Sequence, residues 1–288
     1  MRSYALFPGC SGDADTMYYR SAQAVCPLLD IELIEIEDWN CCGATPYISI
    51  NNLEATCVAA RNLALAQKTG LDLVTSCSCC YVIQNQTDSH LREYPELREK
   101  VSEALAAGGL QYQGGVRVRH LLEILVNDVG YEAISSKVKK GLEGLKVACY
   151  YGCLVVRPKL GFDDPEFPQS LDRLMESLGA EPTPFHLKSR CCGGALILPE
   201  EGLVQGLIHK LLENALAGGA ECIVTVCPLC HTNLDAYQAK VNRRFKTNYH
   251  LPVLYLPQLM GLAFGIDSGS LDLEKLMISP KKVLESFY

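Results

Sequence analysis

The stretch GLDLVTSCSCCY, residues 70–81, recurs in altered form as AECIVTVCPLCH at residues 220–231. Each copy begins with a continuous apolar run, which is typical of a strand buried on both faces of a parallel sheet. Each copy then reaches a Cys-x-x-Cys pair, formed by Cys77 and Cys80 in the first copy and by Cys227 and Cys230 in the second. The constant spacing of 150 residues between the copies indicates an internal repeat.

The repeat extends to other cysteines on the N-terminal side of these pairs. Adding 150 to Cys41 and Cys42, in NCCGAT (40–45), gives Cys191 and Cys192, in RCCGGA (190–195). Cys10 in ALFPGC pairs with Cys153 in CYYGC, at a spacing of 143 residues. Gene duplication accounts for this agreement, and the GLEGL segment (141–145) is its predicted boundary. The predicted domains are therefore residues 1–144 and 145–288.

Each repeat also alternates apolar strands with helical patterns. Strands are predicted at 4–7, 31–36 and 71–75, and in the second repeat at 147–150, 182–185 and 222–226. Helices are predicted at 14–29 and 53–68, and at 168–178 and 201–216. VRVRHLLEIL (116–125) and LPVLYLPQLM (251–260) each suggest a further strand entering a helix. This alternation predicts an α/β fold of two similar subdomains with parallel sheets, and the cysteines fall at the carboxyl ends of strands, where such sheets bind ligands.

Composition excludes several classes of protein. The net charge is −7 and no Lys/Arg cluster stands out, so nucleic acid is an unfavourable partner. The most apolar late stretch, residues 251–266, is too short and too interrupted by proline to span a bilayer. The N-terminus turns polar within ten residues, which predicts a cytoplasmic protein without a signal peptide. In that compartment fifteen cysteines, an odd number, favour metal or redox chemistry over disulfides.

Five cysteines per repeat exceed what common metal sites require. Structural zinc and a cubane iron–sulfur cluster each take four thiolates. Adjacent side chains leave an extended backbone in opposite directions, so a Cys-Cys pair suits sulfurs that contact different irons or that bridge two irons. The glycines that follow the pair relieve strain in the turn and allow close backbone approach. The sequence therefore predicts two polynuclear iron–sulfur sites with unusual ligation.

CYYGC, CCGGA, VCPLCH and the closing PVLYLPQLMGLAFG resemble the B subunit of heterodisulfide reductase over nearly the whole chain. The resemblance implies two subdomains related by pseudo-twofold symmetry and two noncubane [4Fe-4S] clusters that face each other. A disulfide substrate would bind between the clusters and be cleaved with two electrons that arrive singly. The first cluster would be held by the first cysteine set, Cys10, Cys41, Cys42, Cys77 and Cys80. The other would be held by the second cysteine set, Cys153, Cys191, Cys192, Cys227 and Cys230.

The resemblance also implies partners and an anaerobic redox metabolism. A ferredoxin-like subunit of the C type and a flavin-containing subunit of the A type are expected, since no Gly-x-Gly-x-x-Gly loop opens a helix in this chain. CCGAT in place of a proline-containing version, and the absence of the methanogens' run of extra glycines after the second CCG, look more like bacterial relatives than like methanogen ones. The identity of the disulfide, the direction of the reaction and the stoichiometry of the complex are therefore left open.

The other cysteines have less specific interpretations. Cys26, Cys57, Cys222 and Cys149 are expected mainly to pack in the core, with a redox role as the alternative for Cys149. Cys79 could replace Cys80 as a ligand, but its counterpart in the second repeat is Leu229.

Several polar side chains lie near the predicted ligands in the sequence. His231 and Tyr81 are interpreted as proton donors or as groups that orient a sulfur or a backbone atom. Arg157, Lys159 and Arg190 could attract an anionic substrate, or they could be solvated surface residues.

Two other functions remain compatible with the pattern. The chain could be the iron–sulfur subunit of a dehydrogenase, because Cys-Cys-Gly modules also occur in subunits that relay electrons from lactate, glycolate or succinate-type oxidations. Such relatives often carry a Cys-x2-Cys-x2-Cys-x3-Cys-Pro run, which is missing here. A zinc-stabilised scaffold is the non-enzymatic alternative, although structural zinc does not use a fifth thiol.

Overall fold

The computed structural model describes residues 1–9, 16–44, 46–156 and 161–287, with only the backbone described for Pro46 and Tyr47. The strands are β1 (Arg2–Phe7), β2 (Ile31–Glu35), β3 (Leu73–Thr75), β4 (Val118–His120), β5 (Lys146–Tyr150), β6 (Glu181–Pro182), β7 (Cys222–Thr225) and β8 (Val253–Tyr255). They form two four-stranded sheets with the orders β2-β1-β3-β4 and β6-β5-β7-β8. Every strand pairing in these two sheets is parallel. The predicted α/β class with two similar subdomains is confirmed.

Helices connect the strands in both repeats. The described α-helices are α1 (Met17–Val25), α2 (Pro46–Ile50), α3 (Asn52–Gln67), α4 (Ser78–Glu93), α5 (Pro95–Ala107), α6 (Leu121–Ile124), α7 (Tyr131–Ser135), α8 (Ser170–Ser177), α9 (Glu201–Ala217), α10 (Pro228–Ala236), α11 (Gln238–Phe245), α12 (Leu256–Ala263) and α13 (Lys281–Leu284). Asn51 caps α3 by accepting a hydrogen bond from Glu54 N at 3.2 Å. The two long helices predicted at 53–68 and 201–216 are thus present, with slightly shifted ends.

The central strands are buried almost along their whole length. All residues of β3 and β7 are buried, as are the last four of β5. Strands covered by helices on both faces need apolar side chains on both faces, which is why these segments are continuous apolar runs in the sequence. Because these strands are buried, they hold the first residues of the cysteine loops in place.

Two predicted elements are shorter than expected. Strand β6 covers only Glu181–Pro182 instead of 182–185, because Pro182 and Pro184 have no N–H group to donate to a neighbouring strand. Helix α1 ends at Val25, and the chain continues as a 3₁₀ turn over Cys26–Leu29, which contains Pro27. Residues 14 and 15 of the predicted helix lie outside the described residues.

The chain divides into two compact units, and each unit is formed by two separate segments of the chain. Unit 1 consists of Met1–Asp13 and Asp30–Leu121, and unit 2 of Ala14–Leu29 and Leu122–Tyr288. Unit 1 contains the first sheet, and unit 2 contains the second sheet together with α1 and α7 from the first repeat. The boundary at 144/145 remains a prediction of where the two repeats meet.

Helix α1 is held in unit 2 by contacts with α12 and with the chain that follows it. The Tyr18 ring packs edge-on against Tyr255, with ring centroids 4.9 Å apart. Arg20 donates to Asp272 at 2.8 Å, and Asp272 is only 1% exposed. Breaking an ion pair to a buried carboxylate is unfavourable, so this contact stabilises α1 at its place in unit 2.

The strand order places the cysteine loops at a particular edge of each sheet. In the first sheet the chain moves outward from β1 to β2 and then returns to the opposite side of β1 at β3. The second sheet repeats this path with β5, β6 and β7. Ligands of parallel sheets bind at such a reversal, beyond the carboxyl ends of the strands involved. Cys77 and Cys227 lie two residues beyond β3 and β7, at this position.

Candidate metal centres

Both Cys-x-x-Cys pairs lie at the beginning of a helix. Cys77 is the N-cap residue of α4 and Cys80 lies in its first turn, and Cys227 and Cys230 have the same positions in α10. All four side chains are buried. Unpaired N–H groups and the helix dipole create a positive potential at a helix N-terminus, which favours thiolates. Both Cys-x-x-Cys pairs therefore lie beside the unpaired N–H groups of a helix N-terminus.

The adjacent cysteines differ in burial in the same way in both repeats. Cys41 and Cys191 are exposed, whereas Cys42 and Cys192 are buried. The glycines that follow the pairs, Gly43 and Gly193, have φ values of +74° and +96°, and a Cβ on Gly193 would lie 2.6 Å from a methyl group of the Val204 side chain. Glycine is thus needed at this turn for its backbone conformation and, in the second repeat, for space. The two sulfurs of a pair face different surroundings, as the sequence predicts.

Each buried member of a Cys-Cys pair lies against the second cysteine of the Cys-x-x-Cys pair. Cys42 Sγ and Cys80 Sγ are 3.4 Å apart, and Cys192 Sγ and Cys230 Sγ are 3.5 Å apart. A disulfide bond would be about 2.05 Å long. Two thiolates on one tetrahedral metal with bonds of about 2.3 Å would be about 3.8 Å apart. The thiols are therefore free, and each pair needs only a small displacement to accept a metal.

Hydrogen bonds link four thiols in the first cysteine set. The side chains of Cys41 and then Cys80 lower the pKa of Cys42 to about 4. Hydrogen bonds with Cys42 and Cys77, together with burial, raise the pKa of Cys80. Hydrogen bonds from these thiols thus favour the thiolate form of Cys42. Cys10, the fifth predicted ligand, lies outside the described residues.

The second cysteine set converges near Tyr150. Burial raises the pKa of Tyr150, and negative charge on the surrounding thiols raises it further, in the order Cys230, Cys192, Cys153 and Cys191. The fifth member, Cys227, is linked to Cys230 by a hydrogen bond. The hydrogen bond between Cys192 and Cys230 lowers the pKa of Cys192 and raises that of Cys230. All five predicted ligands of this set therefore lie in one neighbourhood.

Main-chain and side-chain groups support the Cys-Cys-Gly turns. In the second repeat Gly193 N donates to Cys191 Sγ at 3.3 Å, and Gly194 N donates to Cys192 Sγ at 3.4 Å. Tyr150 donates its hydroxyl proton to Arg190 O at 2.7 Å and so holds the residue that precedes the pair. N–H groups that point at ligating sulfurs are typical of iron–sulfur sites, whose potentials they adjust.

An amide holds the corresponding turn of the first repeat from a neighbouring helix. Asn62 of α3 contacts the backbone of Asn40, accepting from its N at 3.0 Å and donating to its O at 2.9 Å. Asn62 is fully buried, so this pair of hydrogen bonds fixes the residue that enters the Cys41–Cys42 pair.

A glycine precedes the first cysteine of each set, and its lack of a side chain allows the backbone after the strand to lie close to a cysteine sulfur. A Cβ on Gly9 would lie 2.9 Å from Cys80 Sγ, and a Cβ on Gly152 would lie 3.1 Å from Cys230 Sγ. These glycines were not among the predicted site residues, although the Gly-Cys dipeptide in both PGC and YGC is a signal that could have found them. Asn233, which donates to the second Cys-Cys-Gly turn, was not predicted either.

His231 is held as a structural group in the described conformation. Its Nε2 lies 2.9 Å from Val253 O, and its ring stacks on Tyr255 at a centroid distance of 4.0 Å. Burial lowers the pKa of His231 to about 4, so the ring is neutral at pH 7. Of its two interpretations from sequence, the contact with a backbone group is therefore the one observed. Tyr81, its counterpart, is buried edge-on against His120.

The other candidate cysteines pack as the sequence predicts. Cys26, Cys149 and Cys222 are buried, and burial raises the pKa of each, which confirms their packing role. Cys57 and Cys79 are half-buried, and Cys57 packs against an apolar cluster of α3, α4 and α5. Of the three candidate cations, Arg190 is exposed next to Cys191, while Arg157 and Lys159 lie outside the described residues.

The described residues contain no group of three or more His, Cys, Asp or Glu side chains arranged around one metal-ion position. A structural zinc requires such a group of four. A polynuclear cluster distributes its thiolates over several irons and does not require it. The buried thiols, and the glycines that leave room beside the sulfurs, fit such a cluster.

The sequence pattern of the cysteine-rich (CCG) domain family matches residues 4–83 and 147–235. The chain is 37% identical to the "8-methylmenaquinol:fumarate reductase membrane anchor subunit" of Wolinella succinogenes, over 98% of this chain and 99% of that protein. It is 31% identical to the B subunit of the ferredoxin/F(420)H(2)-dependent CoB-CoM heterodisulfide reductase of Methanosarcina acetivorans, over 100% and 98%. A protein of Archaeoglobus profundus, named as similar to the B subunit of heterodisulfide reductase, is 36% identical over 93% and 92%.

A solved structure shares the fold. The crystal structure of a hypothetical protein from Helicobacter pylori superposes with a TM-score of 0.79 and 18% sequence identity, covering 96% of this chain and 52% of that one. This chain thus spans about half the length of that neighbour. Within the described part of the chain, no helix combines the length and apolar character that a bilayer span requires.

Proposed function

Because the chain belongs to the cysteine-rich (CCG) domain family, and within it to the group that contains the B subunit of heterodisulfide reductase, we propose that it is the catalytic iron–sulfur subunit of a disulfide-reducing complex. It would cleave a disulfide to two thiols, or run the reverse reaction, in two one-electron steps. The observation that carries the proposal is the same contact in both repeats between the buried cysteine of the Cys-Cys pair and the second cysteine of the Cys-x-x-Cys pair, at 3.4 Å and 3.5 Å.

The proposed ligands are the two cysteine sets. One noncubane [4Fe-4S] cluster would be held by Cys10, Cys41, Cys42, Cys77 and Cys80, and the other by Cys153, Cys191, Cys192, Cys227 and Cys230. When bound, such clusters supply single electrons and an iron that can accept a substrate sulfur. The protein's own part is to keep the buried sulfurs close together, to direct N–H groups at them, and to exclude water from the buried side.

Electrons would enter from partner subunits. We propose a ferredoxin-like subunit and a flavin-containing subunit, because this chain has no glycine-rich dinucleotide loop of its own. The relatives named as heterodisulfide reductases are themselves single subunits of such enzymes, which supports membership of a larger complex. The exposed side chains of Cys41 and Cys191 give each cysteine set an edge at the surface of its own unit, where a donor could approach.

A second candidate is an electron-transfer subunit of a quinol-linked reductase. It is favoured by the 37% identity to a protein named as part of an 8-methylmenaquinol:fumarate reductase. In this role the same two cysteine sets would pass electrons between a quinol and a partner enzyme, without a disulfide substrate. The zinc scaffold is disfavoured because structural zinc uses four thiolates, whereas each repeat offers five cysteines.

Anaerobically purified protein is expected to contain about eight iron atoms per chain, the content of two four-iron clusters. Elemental analysis, acid-labile sulfide and the brown iron–sulfur absorbance measure this directly. Reproducible preparations that hold one or two zinc ions and no sulfide would contradict the proposal.

Turnover assays separate the two redox functions. With reduced viologen as donor, the disulfide reductase is expected to consume small-molecule disulfides and release two thiols per two electrons. The quinol-linked subunit is expected to exchange electrons with a menaquinone analogue and to leave disulfides unchanged. The iron content is the same in both cases, so the assay tests the reaction independently of the clusters.

A further inference from the structure

Asn233 lies in α10, one turn after Cys230, and its amide contacts the second Cys-Cys-Gly turn at three atoms. Its Nδ2 lies 3.0 Å from Gly194 O, 3.3 Å from Cys192 O and 3.6 Å from Cys192 Sγ. An amide has two N–H groups, so one N–H serves Gly194 O and the other is shared between the oxygen and the sulfur of Cys192. A single side chain thus fixes the turn and donates to a proposed ligand.

The burial of this amide has a cost. Asn233 is 0% exposed, and its Oδ1 has no hydrogen-bond partner among the described residues. Leaving a buried acceptor unsatisfied is unfavourable, and an apolar side chain of similar volume at this position would avoid that penalty. The benefit of asparagine here must therefore come from its N–H groups.

The first repeat shows that the helix after the Cys-x-x-Cys pair does not require an amide at this position. The residue at the corresponding position of α4 is Ile83, which has no side-chain hydrogen-bond donor. Other features of the two sites agree, including the short Sγ···Sγ contact and the glycine at positive φ after each pair. Asn233 is therefore one difference in chemistry between two cysteine sets that share these features.

We infer that Asn233 is a positioning residue that makes the two sites inequivalent. It holds the Cys192 turn and donates to Cys192 Sγ, so that the second site is reduced at a higher potential than it would be without the amide. An N–H directed at a ligating sulfur stabilises the extra negative charge of the reduced state, which raises the potential. The inference rests on the proposed function, since it requires iron–sulfur clusters at both sites. It also predicts the order in which the two sites are reduced, because the amide favours the second site as the acceptor of the first electron.

The test is a redox titration followed by electron paramagnetic resonance on the full chain purified without oxygen. Asn233→Leu is expected to keep about eight iron atoms and to shift one of two midpoint potentials to a more negative value, with the other unchanged. Asn214→Leu is the matched control, because Asn214 lies in the same unit and accepts from Leu187 N at 3.1 Å. Both midpoints are expected to stay at their wild-type values in the control.

Two midpoints that stay at their wild-type values in Asn233→Leu would overturn the inference. If Asn233→Leu fails to retain iron, the reciprocal change Ile83→Asn decides the question. It is expected to move the midpoint of the first site to a less negative value, and an unchanged midpoint would overturn the inference. A wild-type protein without iron would instead overturn the proposed function, so the two failures are distinct.

Discussion

Replacing Gly9 with alanine is expected to empty the first cysteine set and to leave the second set loaded, so that iron falls from about eight to about four atoms per chain. The new Cβ would lie 2.9 Å from Cys80 Sγ, so the sulfur would have to move by several tenths of an ångström. Metal sites tolerate ligand displacements of about 0.2 Å. Iron and sulfide analysis of the anaerobically purified variant measures the loss.

Gly70→Ala is a matched control for this change. Gly70 has the same φ of +69° as Gly9, but a Cβ there would meet no atom within 4 Å. Both variants carry the backbone strain of alanine in the left-handed region, about 1–2 kcal/mol, and only Gly9→Ala adds the collision with sulfur. Equal iron contents in the two variants would contradict the expectation. Gly152→Ala and Gly219→Ala form the corresponding pair in the second repeat, with φ values of +68° and +84°.

Cys192→Ala is expected to remove the second cluster and to lower disulfide reduction by more than about 100-fold. Loss of a group that merely orients a metal ligand already costs about 10–100-fold, and Cys192 is proposed as a ligand itself. The remaining first set would hold about four iron atoms. Iron analysis and viologen-linked turnover with a disulfide measure the two effects separately.

Cys149→Ala serves as the comparison for this substitution. Cys149 is buried in β5 of the same unit, but it belongs to neither proposed ligand set. Its loss is expected to reduce the free energy of unfolding by about 1 kcal/mol and to leave iron content and turnover at wild-type values. Full iron in Cys192→Ala, or loss of iron in Cys149→Ala, would show that the ligand assignment is wrong.

The central strands were predictable because a strand buried on both faces requires a continuous run of apolar residues, which is visible in the sequence. Leu73–Thr75 and Cys222–Thr225 are apolar runs that stop where the chain meets cysteine, and the structure has its strands there. The duplicated cysteines likewise predicted which loops would meet, since the ends of parallel strands share one edge. Strand β6 was predicted too long, because Pro182 and Pro184 lack the N–H groups that strand pairing requires.

Other features could not be predicted because they depend on contacts between residues that are far apart in the sequence. The helical pattern of α1 was predictable, but its packing on α12 depends on distant residues such as Tyr255 and Asp272. The role of Asn233 depends on the path of the Cys192 turn, which brings carbonyl oxygens and a sulfur within its reach. Comparing Asn233 with Ile83 across the repeat could have drawn attention to it, since the two copies differ there by a hydrogen-bond donor.

Because α1 belongs to unit 2, the second repeat cannot be expressed alone without losing contacts of that unit. A fragment that begins at residue 145 would lack Tyr18 and Arg20, and would therefore expose the ring of Tyr255 and leave Asp272 with Lys275, 3.2 Å away, as its ion-pair partner among the described residues. It would also lack α7, which packs against α8. Cutting at the repeat boundary would thus separate residues that fold together, even though the sheet of the second repeat is complete. The predicted repeat and the compact unit are therefore different stretches of the chain.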